Sequence, residues 1–382
     1  MTRRTIQWLA ALVVGLVLLL VVLEETDHSG TRESRLLLPD LEAHANSADT
    51  VLIAQPKEEA GVTLHRVDDH WSVVERDDYP ADMAKLRSLM VALAGAKIVE
   101  EKTSNPDLYS KLEVGDPGDG GKGVKVTVSG DGFAETVILG KTAQRDFRYA
   151  RVPDQASSYL IDKNPEIPDK IGDWLSPDVL DISSKRVRRV SITHADGEKI
   201  VIDKGSRDLT DFTVLDVPAG RELSYASVGN GIAAVLAKLT LEDVRATVEA
   251  PAETTAEFDT WNGLRITARI TPEGDTAWVA FSAEAVAVED AGQPDASKKQ
   301  TADADAPATG TPDDQDAADE TDAGKAAGSK PAEAEPPAPD VQAAEINKRL
   351  GGWQYKLADY KKNLLTRRWK DILKAKAADK PK

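Results

Sequence analysis

Five histidines are the first residues to consider for acid–base or metal chemistry. They are His28, His44, His65, His70 and His194. None of them stands in the H-E-x-x-H pattern that a zinc hydrolase presents on one helix face. His65 and His70 flank a predicted hairpin turn, which favours surface positions over metal ligation. We therefore predict no metal site and no cofactor.

Neighbouring acidic residues are the next candidates, because a pair of carboxylates can act as general acid and base. Asp77-Asp78 and Glu100-Glu101 are such neighbours, but adjacent residues of a strand point to opposite faces. A carboxylate pair stays open as an unsupported alternative. The chain contains no G-x-S-x-G motif of a serine hydrolase and no cysteine. We predict no catalytic residues and a protein that is not an enzyme.

The segment from Gly115 to Gly123 has the composition of a phosphate-binding loop. A phosphate loop of this kind has Ser or Thr after its Lys and leads into a helix. Here Gly123 follows Lys122, and the alternating residues that come next predict a strand. We interpret the segment as a flexible loop that opens a hairpin.

The position of the whole chain depends on one apolar run, Ile6 to Leu23, of 18 residues. As a helix it spans about 27 Å, close to the ~30 Å hydrocarbon core of a bilayer. Arg3 and Arg4 precede it and acidic residues follow, which predicts a cytoplasmic N-terminus and an extracytoplasmic body. A cleaved signal peptide is the alternative, but the nearest A-x-A site, at 43–45, lies too far from the run. We predict a single-pass anchor in the bacterial inner membrane, with the body in the periplasm.

Charge divides the remainder of the chain, whose net charge is −17. Residues 289–340 hold 14 Asp/Glu against 4 Lys and contain no aromatic or large aliphatic residue. Such a segment cannot bury enough apolar surface to fold, so we predict a disordered insertion. Residues 341–382 reverse the sign, with 12 Lys/Arg against 4 Asp/Glu. Because the body is acidic and lies outside the cytoplasm, we predict no nucleic acid partner.

An internal repeat at an offset of about 140 residues organises the body. The short strands at 62–65 and 71–74 match 200–203 and 212–215, and a helical pattern follows each pair (Met83 to Leu93, Val228 to Leu239). A hairpin at 123–139 is matched with one at 263–281. The closing segments 159–174 and 355–369 are also similar, which places the acidic tract inside the second unit.

The predicted fold class is α+β: a transmembrane helix followed by two similar β-β-α-β-β-β-α units, the second interrupted by the acidic insertion. The predicted segments are a cytoplasmic N-terminus (1–5), the transmembrane helix (6–23), a linker (24–47), the first unit (48–182), the second unit (183–288), the disordered insertion (289–340) and a basic amphipathic C-terminal helix (341–382). That helix either closes the second unit or lies on an anionic membrane surface.

Residues 71–114 contain several features in a fixed order: Tyr79-Pro80-Ala81-Asp82, the Leu/Ala helix, Glu101-Lys102-Thr103, and Pro106 with Tyr109 and Leu112. In these features the segment resembles the bacterial family known only as domain of unknown function 4340 (DUF4340). Leu37 to Leu41, with Asn46 and Val51, and Arg148-Tyr149-Ala150-Arg151 fit the same family. The resemblance covers roughly residues 36–288 and the anchor.

The resemblance implies single-anchor extracytoplasmic proteins with repeated domains, often encoded near ABC-2-type export systems. The family brings no catalytic residues with it. We therefore expect a non-enzymatic accessory or scaffold protein whose partners are the membrane and an ABC-type permease or auxiliary subunit. The alternative is an envelope glycan- or peptide-binding module that uses a cleft between the units.

Overall fold

The computed structural model describes residues 35–56, 61–144, 146–287 and 337–375. The predicted anchor at 6–23 lies outside these residues, as does almost all of the acidic tract. Within the described ranges, no helix is long and apolar enough to cross a membrane. The chain divides into two compact units, residues 1–177 and 178–382, so the division falls five residues before the predicted boundary.

The first unit is a nine-stranded antiparallel sheet with the strand order β4-β3-β2-β1-β6-β7-β8-β9-β5. Its strands are β1 (Ala48–Ala54), β2 (Val62–Val67), β3 (His70–Val73), β4 (Tyr79–Pro80), β5 (Ile98–Thr103), β6 (Val124–Gly130), β7 (Phe133–Gln144), β8 (Phe147–Arg151) and β9 (Ser158–Ile161). Its α-helices are α1 (Pro39–His44), α2 (Met83–Ala94) and α3 (Tyr109–Leu112).

The second unit is also a nine-stranded antiparallel sheet, with the order β10-β14-β18-β17-β16-β15-β11-β12-β13. Its strands are β10 (Asp178–Leu180), β11 (Val187–His194), β12 (Lys199–Asp203), β13 (Thr213–Val214), β14 (Leu239–Ala246), β15 (Thr254–Thr260), β16 (Leu264–Glu273), β17 (Thr276–Ala285) and β18 (Trp353–Leu357). Its α-helices are α4 (Val228–Ala233), α5 (Pro339–Leu350), α6 (Asp359–Leu365) and α7 (Trp369–Ile372).

The two sheets share one order of strands over eight positions. Strands β3-β2-β1-β6-β7-β8-β9-β5 of the first unit correspond, one by one, to β13-β12-β11-β15-β16-β17-β18-β14 of the second. The mixed α+β class with antiparallel sheets is thus confirmed. The element string β-β-α-β-β-β-α is wrong, because each unit has nine strands and its first long strand, β1 or β11, was not counted.

Each sheet buries one face and presents polar residues on the other. In β15 and β16 the buried positions alternate with half-buried or exposed ones along the strand, as expected for a sheet covered on one side. Phe258 and Ile266 are fully buried neighbours on the covered face. We call the polar side the open face of each sheet.

Helix α2 shows how the sequence places a covering helix. The side chain of Asp82 accepts hydrogen bonds from the amides of Ala84 and Lys85, which caps the helix N-terminus. Leu86, Leu89 and Leu93 recur on one side and are buried, so this stripe forms part of the core of the first unit. The helix predicted from this spacing is confirmed.

The hairpins of the repeat are present, but their predicted correspondence is shifted by one strand. Residues 123–139 form β6 and β7, and residues 263–281 form β16 and β17. Strand order, however, makes β6 the equivalent of β15 and β7 the equivalent of β16. The sequence pattern does not reveal this shift, because every strand of such a sheet has the same two-residue alternation.

The predicted helices of the second half are also corrected. Helix α4 ends at Ala233, and a turn leads from it into β14. Residues 341–382 are not one helix, because 353–357 form β18 between two helical segments. Gly352 has a φ of 86° after the end of α5, a conformation that favours glycine and ends the helix. Tyr355 and Leu357 then point into the core, two residues apart.

The acidic tract interrupts a pair of neighbouring strands. β17 pairs with β18 through Trp278 and Val279, as β8 pairs with β9 in the first unit. The β8–β9 connection is residues 152–157, whereas the β17–β18 connection is residues 286–352. Asn347 of α5 exchanges hydrogen bonds with the backbone of Ala283, at 2.7 and 2.8 Å, and so occupies the edge of β17.

Candidate functional site: equivalent clefts on the open faces

A cleft of about 470 Å³ lies on the open face of the first sheet. Its walls are α3, the glycine-rich loop at 115–122 and Arg151 at the end of β8. The residues involved in the family resemblance meet here, because Pro106, Tyr109 and Arg151 all line the cleft. The β6–β7 hairpin separates Arg151 from Pro106 and Tyr109 in the sequence, so only the fold brings Arg151 to the other two.

Arg151 forms the base of this cleft and is only 9% exposed. Its Nε donates to the carbonyl of Val114 at 3.1 Å, and its Nη1 donates to the carbonyl of Pro153 at the same distance. The guanidinium lies 4.6 Å from the centre of the Tyr109 ring, within cation–π range. The buried charge therefore joins three chain segments around the cleft.

Arg148, from the same motif, has a similar role in a neighbouring part of the unit. Its Nε donates to the carbonyl of Gly140 at 2.7 Å, and its Nη1 donates to the carbonyl of Pro165 at 2.8 Å. Burial lowers the pKa of Arg148 below its ordinary value. The side chain still carries a proton at physiological pH, because a guanidinium loses it only at far higher pH. Both arginines of the motif thus hold backbone in place.

Asp116 organises the loop above Arg151. Its carboxylate accepts from the amide of Gly118 at 3.0 Å and from Lys125 Nζ at 2.9 Å. Burial acts to raise the pKa of Asp116, but the hydrogen bonds from Lys125 and Gly118 outweigh it, and the pKa lies below the ordinary value. Asp116 is therefore ionised at neutral pH and is bound within the loop.

The loop does not present the amides that a phosphate would need. The amides of Gly118, Asp119, Gly120, Gly121 and Gly123 all donate to acceptors within the loop itself. A phosphate loop needs its backbone N–H groups directed at the ligand. The segment leads into β6, as predicted, and its geometry favours a supporting wall over a phosphate cradle.

A second cleft, of about 580 Å³, occupies the equivalent place in the second unit. The connection between β14 and β15 forms one wall, as the β5–β6 connection does in the first unit. This connection is residues 247–253, against residues 104–123 in the first unit. Less chain therefore covers the second cleft, and Arg269, Thr271 and Ala280 of the sheet line it directly.

An arginine–aromatic pair also stands beside the second cleft. The guanidinium of Arg245 lies 4.2 Å from the centre of the Trp278 ring. Arg245 Nε donates to Gln354 Oε1 at 2.9 Å, and Nη1 donates to Glu273 at 2.6 Å. Both units therefore pair an arginine with an aromatic ring at their cleft. The sequence does not reveal this similarity, because Tyr109 and Arg151 stand on α3 and β8 whereas Arg245 and Trp278 stand on β14 and β17.

The histidines take separate places in the fold. His44 ends α1, where its ring stacks on Phe133 with centres 5.3 Å apart. His65 and His70 lie on β2 and β3, on either side of the predicted turn, and His70 is exposed while His65 is half-buried. His28 lies outside the described residues. In the described parts of the chain, no three His, Asp or Glu side chains form a group that could hold a metal ion.

His194 is the buried histidine, with 4% exposure. Its Nε2 donates to the carbonyl of Arg367 at 3.0 Å, and its Nδ1 lies 2.9 Å from Thr254 Oγ1. It lines a cleft of about 400 Å³ together with residues of the C-terminal segment, among them Thr366 and Arg368. Both ring nitrogens are thus engaged in holding that segment against β15.

The neighbouring acidic residues are on the surface. Asp77 and Asp78 are exposed in a turn, with φ values of 54° and 61°. Glu100 and Glu101 are exposed on β5, the edge strand of the first sheet. Neither pair lines the clefts described above, so they do not act together with Arg151 or Asp116.

These features define a class: a tandem α+β protein made of one repeated antiparallel unit, with a polar, arginine-supported cleft on each open face. The family model for a domain of unknown function, DUF4340, matches residues 71–258, and the chain belongs to that family over this range. The match extends from β3 of the first unit to β15 of the second. No curated protein and no solved structure matches the chain.

Proposed function

We propose that this chain is a non-enzymatic, membrane-anchored accessory or scaffold protein of an ABC-type export system, with both units outside the cytoplasm. The observation that carries the proposal is that the charged groups at the first cleft are bonded to other groups of the protein. Arg151 and Asp116 are bonded to backbone groups and to Lys125. Groups fixed in this way shape a rigid surface, which suits binding better than proton transfer to a substrate.

The location and the partner in this proposal depend on the sequence and the family. The apolar run at 6–23 and the Arg3-Arg4 pair before it favour an inner-membrane anchor with an extracytoplasmic body. The family resemblance supports an export permease or its auxiliary subunit as the partner. An anchored body with two rigid clefts would hold such a subunit close to the membrane.

Affinity purification from membranes solubilised in mild detergent tests the proposal. The tagged full chain should recover ABC-type permease or auxiliary subunits after light crosslinking. Lys122 is exposed and lines the first cleft, so Lys122→Glu should reduce that recovery severalfold. Arg87→Glu makes the same charge change on the exposed side of α2 and should leave recovery unchanged. Recovery of the chain alone would contradict the proposal.

A second candidate is an envelope glycan- or peptide-binding module. The cleft volumes favour it, because about 470 and 580 Å³ fall in the range of ~300–1,000 Å³ common for ligand sites. Under this alternative, binding would be seen by calorimetry with isolated envelope glycans or peptides. The purified chain would then bind the glycan or peptide without an export subunit.

A further inference from the structure

The guanidinium of Arg151 has hydrogen-bond donors that the protein does not use. An arginine side chain carries five N–H donors in a planar fork. Nε and Nη1 of Arg151 each donate one of them, to the carbonyls of Val114 and Pro153. Among the described residues no acceptor bonds Nη2, so three of the five N–H groups are left, on Nη1 and Nη2. Because Arg151 lines the first cleft, these donors can meet a ligand there.

Arg151 is also a buried charge without an acidic partner. Its side chain is 9% exposed, and no carboxylate in the described parts of the chain forms an ion pair with it. Asp116 of the cleft wall is paired with Lys125 instead, at 2.9 Å, and Asp119 is exposed in the loop. The two carbonyl oxygens satisfy part of the hydrogen bonding of Arg151 but do not neutralise its charge. Since buried charges are normally paired, the cleft lacks a counter-ion that a ligand would supply.

The second unit shows which group completes an arginine–aromatic pair. The guanidinium of Arg245 lies 4.2 Å from the centre of the Trp278 ring. Its Nη1 donates to the carboxylate of Glu273 at 2.6 Å. The pair of Arg151 and Tyr109 has a similar separation, 4.6 Å, but no such carboxylate among the described residues. The second unit therefore contains, within its own chain, the contact that the pair in the first cleft lacks.

Both groups of the pair in the first cleft are held in place before any ligand binds. The hydroxyl of Tyr109 donates to the carbonyl of Ala156, and two carbonyls fix the guanidinium of Arg151. A ligand does not have to order a group that is already fixed, which reduces the entropic cost of binding. Lys122 is exposed, lines the same cleft and forms no ion pair with a described residue, so it adds a second cation.

These donors suit a carboxylate better than a phosphate. A carboxylate accepts two parallel N–H bonds from one guanidinium, and the unused end of Arg151 offers that pair of donors. A phosphate has more oxygens to satisfy and is commonly held by several backbone amides. The amides of residues 118–121 already donate to acceptors within the loop, so the cleft provides few donors beyond the arginine.

We propose that the first cleft binds an Asp or Glu side chain of a partner polypeptide, whose carboxylate bonds to Nη1 and Nη2 of Arg151. This inference rests on the proposed function, which makes the polypeptide a subunit of an export system. It adds the group of that subunit that the cleft recognises. The volume of about 470 Å³ is in the range of ligand sites and admits an acidic residue with part of its neighbours.

A fluorine label beside the guanidinium tests the carboxylate site. A 3-fluorotyrosine in place of Tyr109 gives the full chain one fluorine resonance. The probes are acetyl-Gly-Glu-Gly-amide, acetyl-Gly-Gln-Gly-amide and inorganic phosphate. The Glu peptide should shift the resonance saturably, and the Gln peptide, which lacks the charge, should bind about tenfold more weakly or less. The same label in place of Tyr225, which is exposed in the second unit, should not respond.

A substitution at the arginine locates the site. Arg151→Lys keeps the charge but removes the fork, so it should weaken binding of the Glu peptide by about tenfold. In purification from membranes, the same change should reduce recovery of the export subunit severalfold. Arg87→Lys is the matched control, because Arg87 is exposed on α2, and it should change neither measurement.

Three results would overturn the carboxylate site: no saturable shift with the Glu peptide, equal binding of the Glu and Gln peptides, or tighter binding of phosphate. If Arg151→Lys fails to fold by circular dichroism, the two peptides decide the matter, because their comparison needs no change at Arg151. Unchanged recovery of the export subunit by a folded Arg151→Lys chain would overturn the partner's use of this site. The proposed function fails separately: a chain that binds the Glu peptide but recovers no export subunit would support the carboxylate site and contradict the export partner.

Discussion

Buried cations bond to main-chain oxygens in both units. Arg151 joins the carbonyls of Val114 and Pro153 in the first unit. In the second, Lys361 of α6 is 9% exposed, and its Nζ donates to the carbonyls of Val235 and Ala237 at 2.7 and 2.9 Å. Each cation therefore holds a turn of the unit in which it lies.

Replacing Lys361 by Met should destabilise the second unit. Two buried carbonyls would lose their donor while the volume stays similar, which costs about 1–3 kcal/mol in the free energy of unfolding. Urea denaturation of the full chain measures this. Lys362 is the matched control, because its Nζ pairs with the exposed Asp359, and Lys362→Met should change stability little. Equal effects of the two changes would show that the carbonyl bonds contribute nothing.

The contribution of Lys361 to stability should also depend on pH. Burial lowers the pKa of Lys361 below its ordinary value of 10.5. Between the folded pKa and 10.5, the unfolded chain binds more protons at this site, so stability rises with pH across that window. The neutral amine still has two hydrogens for its two carbonyls. The stability difference between the native chain and Lys361→Met should grow as pH is raised toward 10, and a constant difference would refute the burial effect.

The roles of these cations could not be predicted from the sequence. Lys361 fits the basic side of an amphipathic pattern, and its acceptors lie more than 120 residues earlier in the chain. Only the family resemblance distinguishes Arg151 from the other arginines in the sequence. A charged residue in the sequence predicts a surface position, and only the packed fold reveals a buried one.

Among the elements, the glycine-rich loop of the first cleft depends on close backbone contact. A Cβ on Gly121 would lie 2.3 Å from the carbonyl carbon of Gly115, whereas one on Gly118 would approach only the side chain of Asp116, at 3.3 Å. Gly121→Ala should cost about 1–3 kcal/mol through overpacking, and Gly118→Ala should stay within about 0.5 kcal/mol. Thermal denaturation distinguishes them, and a Gly121→Ala chain of native stability would show that the loop is loosely packed.

The local elements could be predicted from the sequence, but the order of the strands in each sheet could not. The β2–β3 and β6–β7 hairpins follow from alternation and turn residues within a few positions. Strand β5 was missed because it is an edge strand whose side chains are almost all exposed, so it has no alternating pattern. In the C-terminal segment, the spacing of Trp353, Leu357, Tyr360 and Leu364 is that of a helix. Trp353 and Leu357 nevertheless lie on β18, because Gly351-Gly352 ends the preceding helix just before them.

The anchor is the element on which the proposed location depends. A cysteine in place of Ser29, after the apolar run, should react with a membrane-impermeant thiol reagent in cells with a permeabilised outer membrane. One in place of Thr2 should not react. The native chain has no cysteine, so it contributes no background. The reverse pattern of labelling would put the body in the cytoplasm and exclude the export proposal.

At the scale of the whole molecule, the two units share one strand order but differ in the lengths of their connections. In the first unit the connection before β6 is the longer one, and it covers part of the open face and builds the Arg151 cleft. In the second unit the equivalent connection is short, and the β17–β18 connection is the longer one. Because the strand order is unchanged, the insertions alter surfaces without altering the core.

Photo-crosslinking from the first cleft tests the central proposal, that this surface contacts a subunit of an export system. Ser110 is exposed and lines the cleft, while Val91 is exposed on the helix side of the same unit. A photoreactive residue at either position would be activated in native membranes, and its adducts identified by mass spectrometry. The account predicts an ABC-type permease or auxiliary subunit bound at Ser110 and none at Val91. Adducts of equal yield at both positions, or no protein adduct at Ser110, would contradict it.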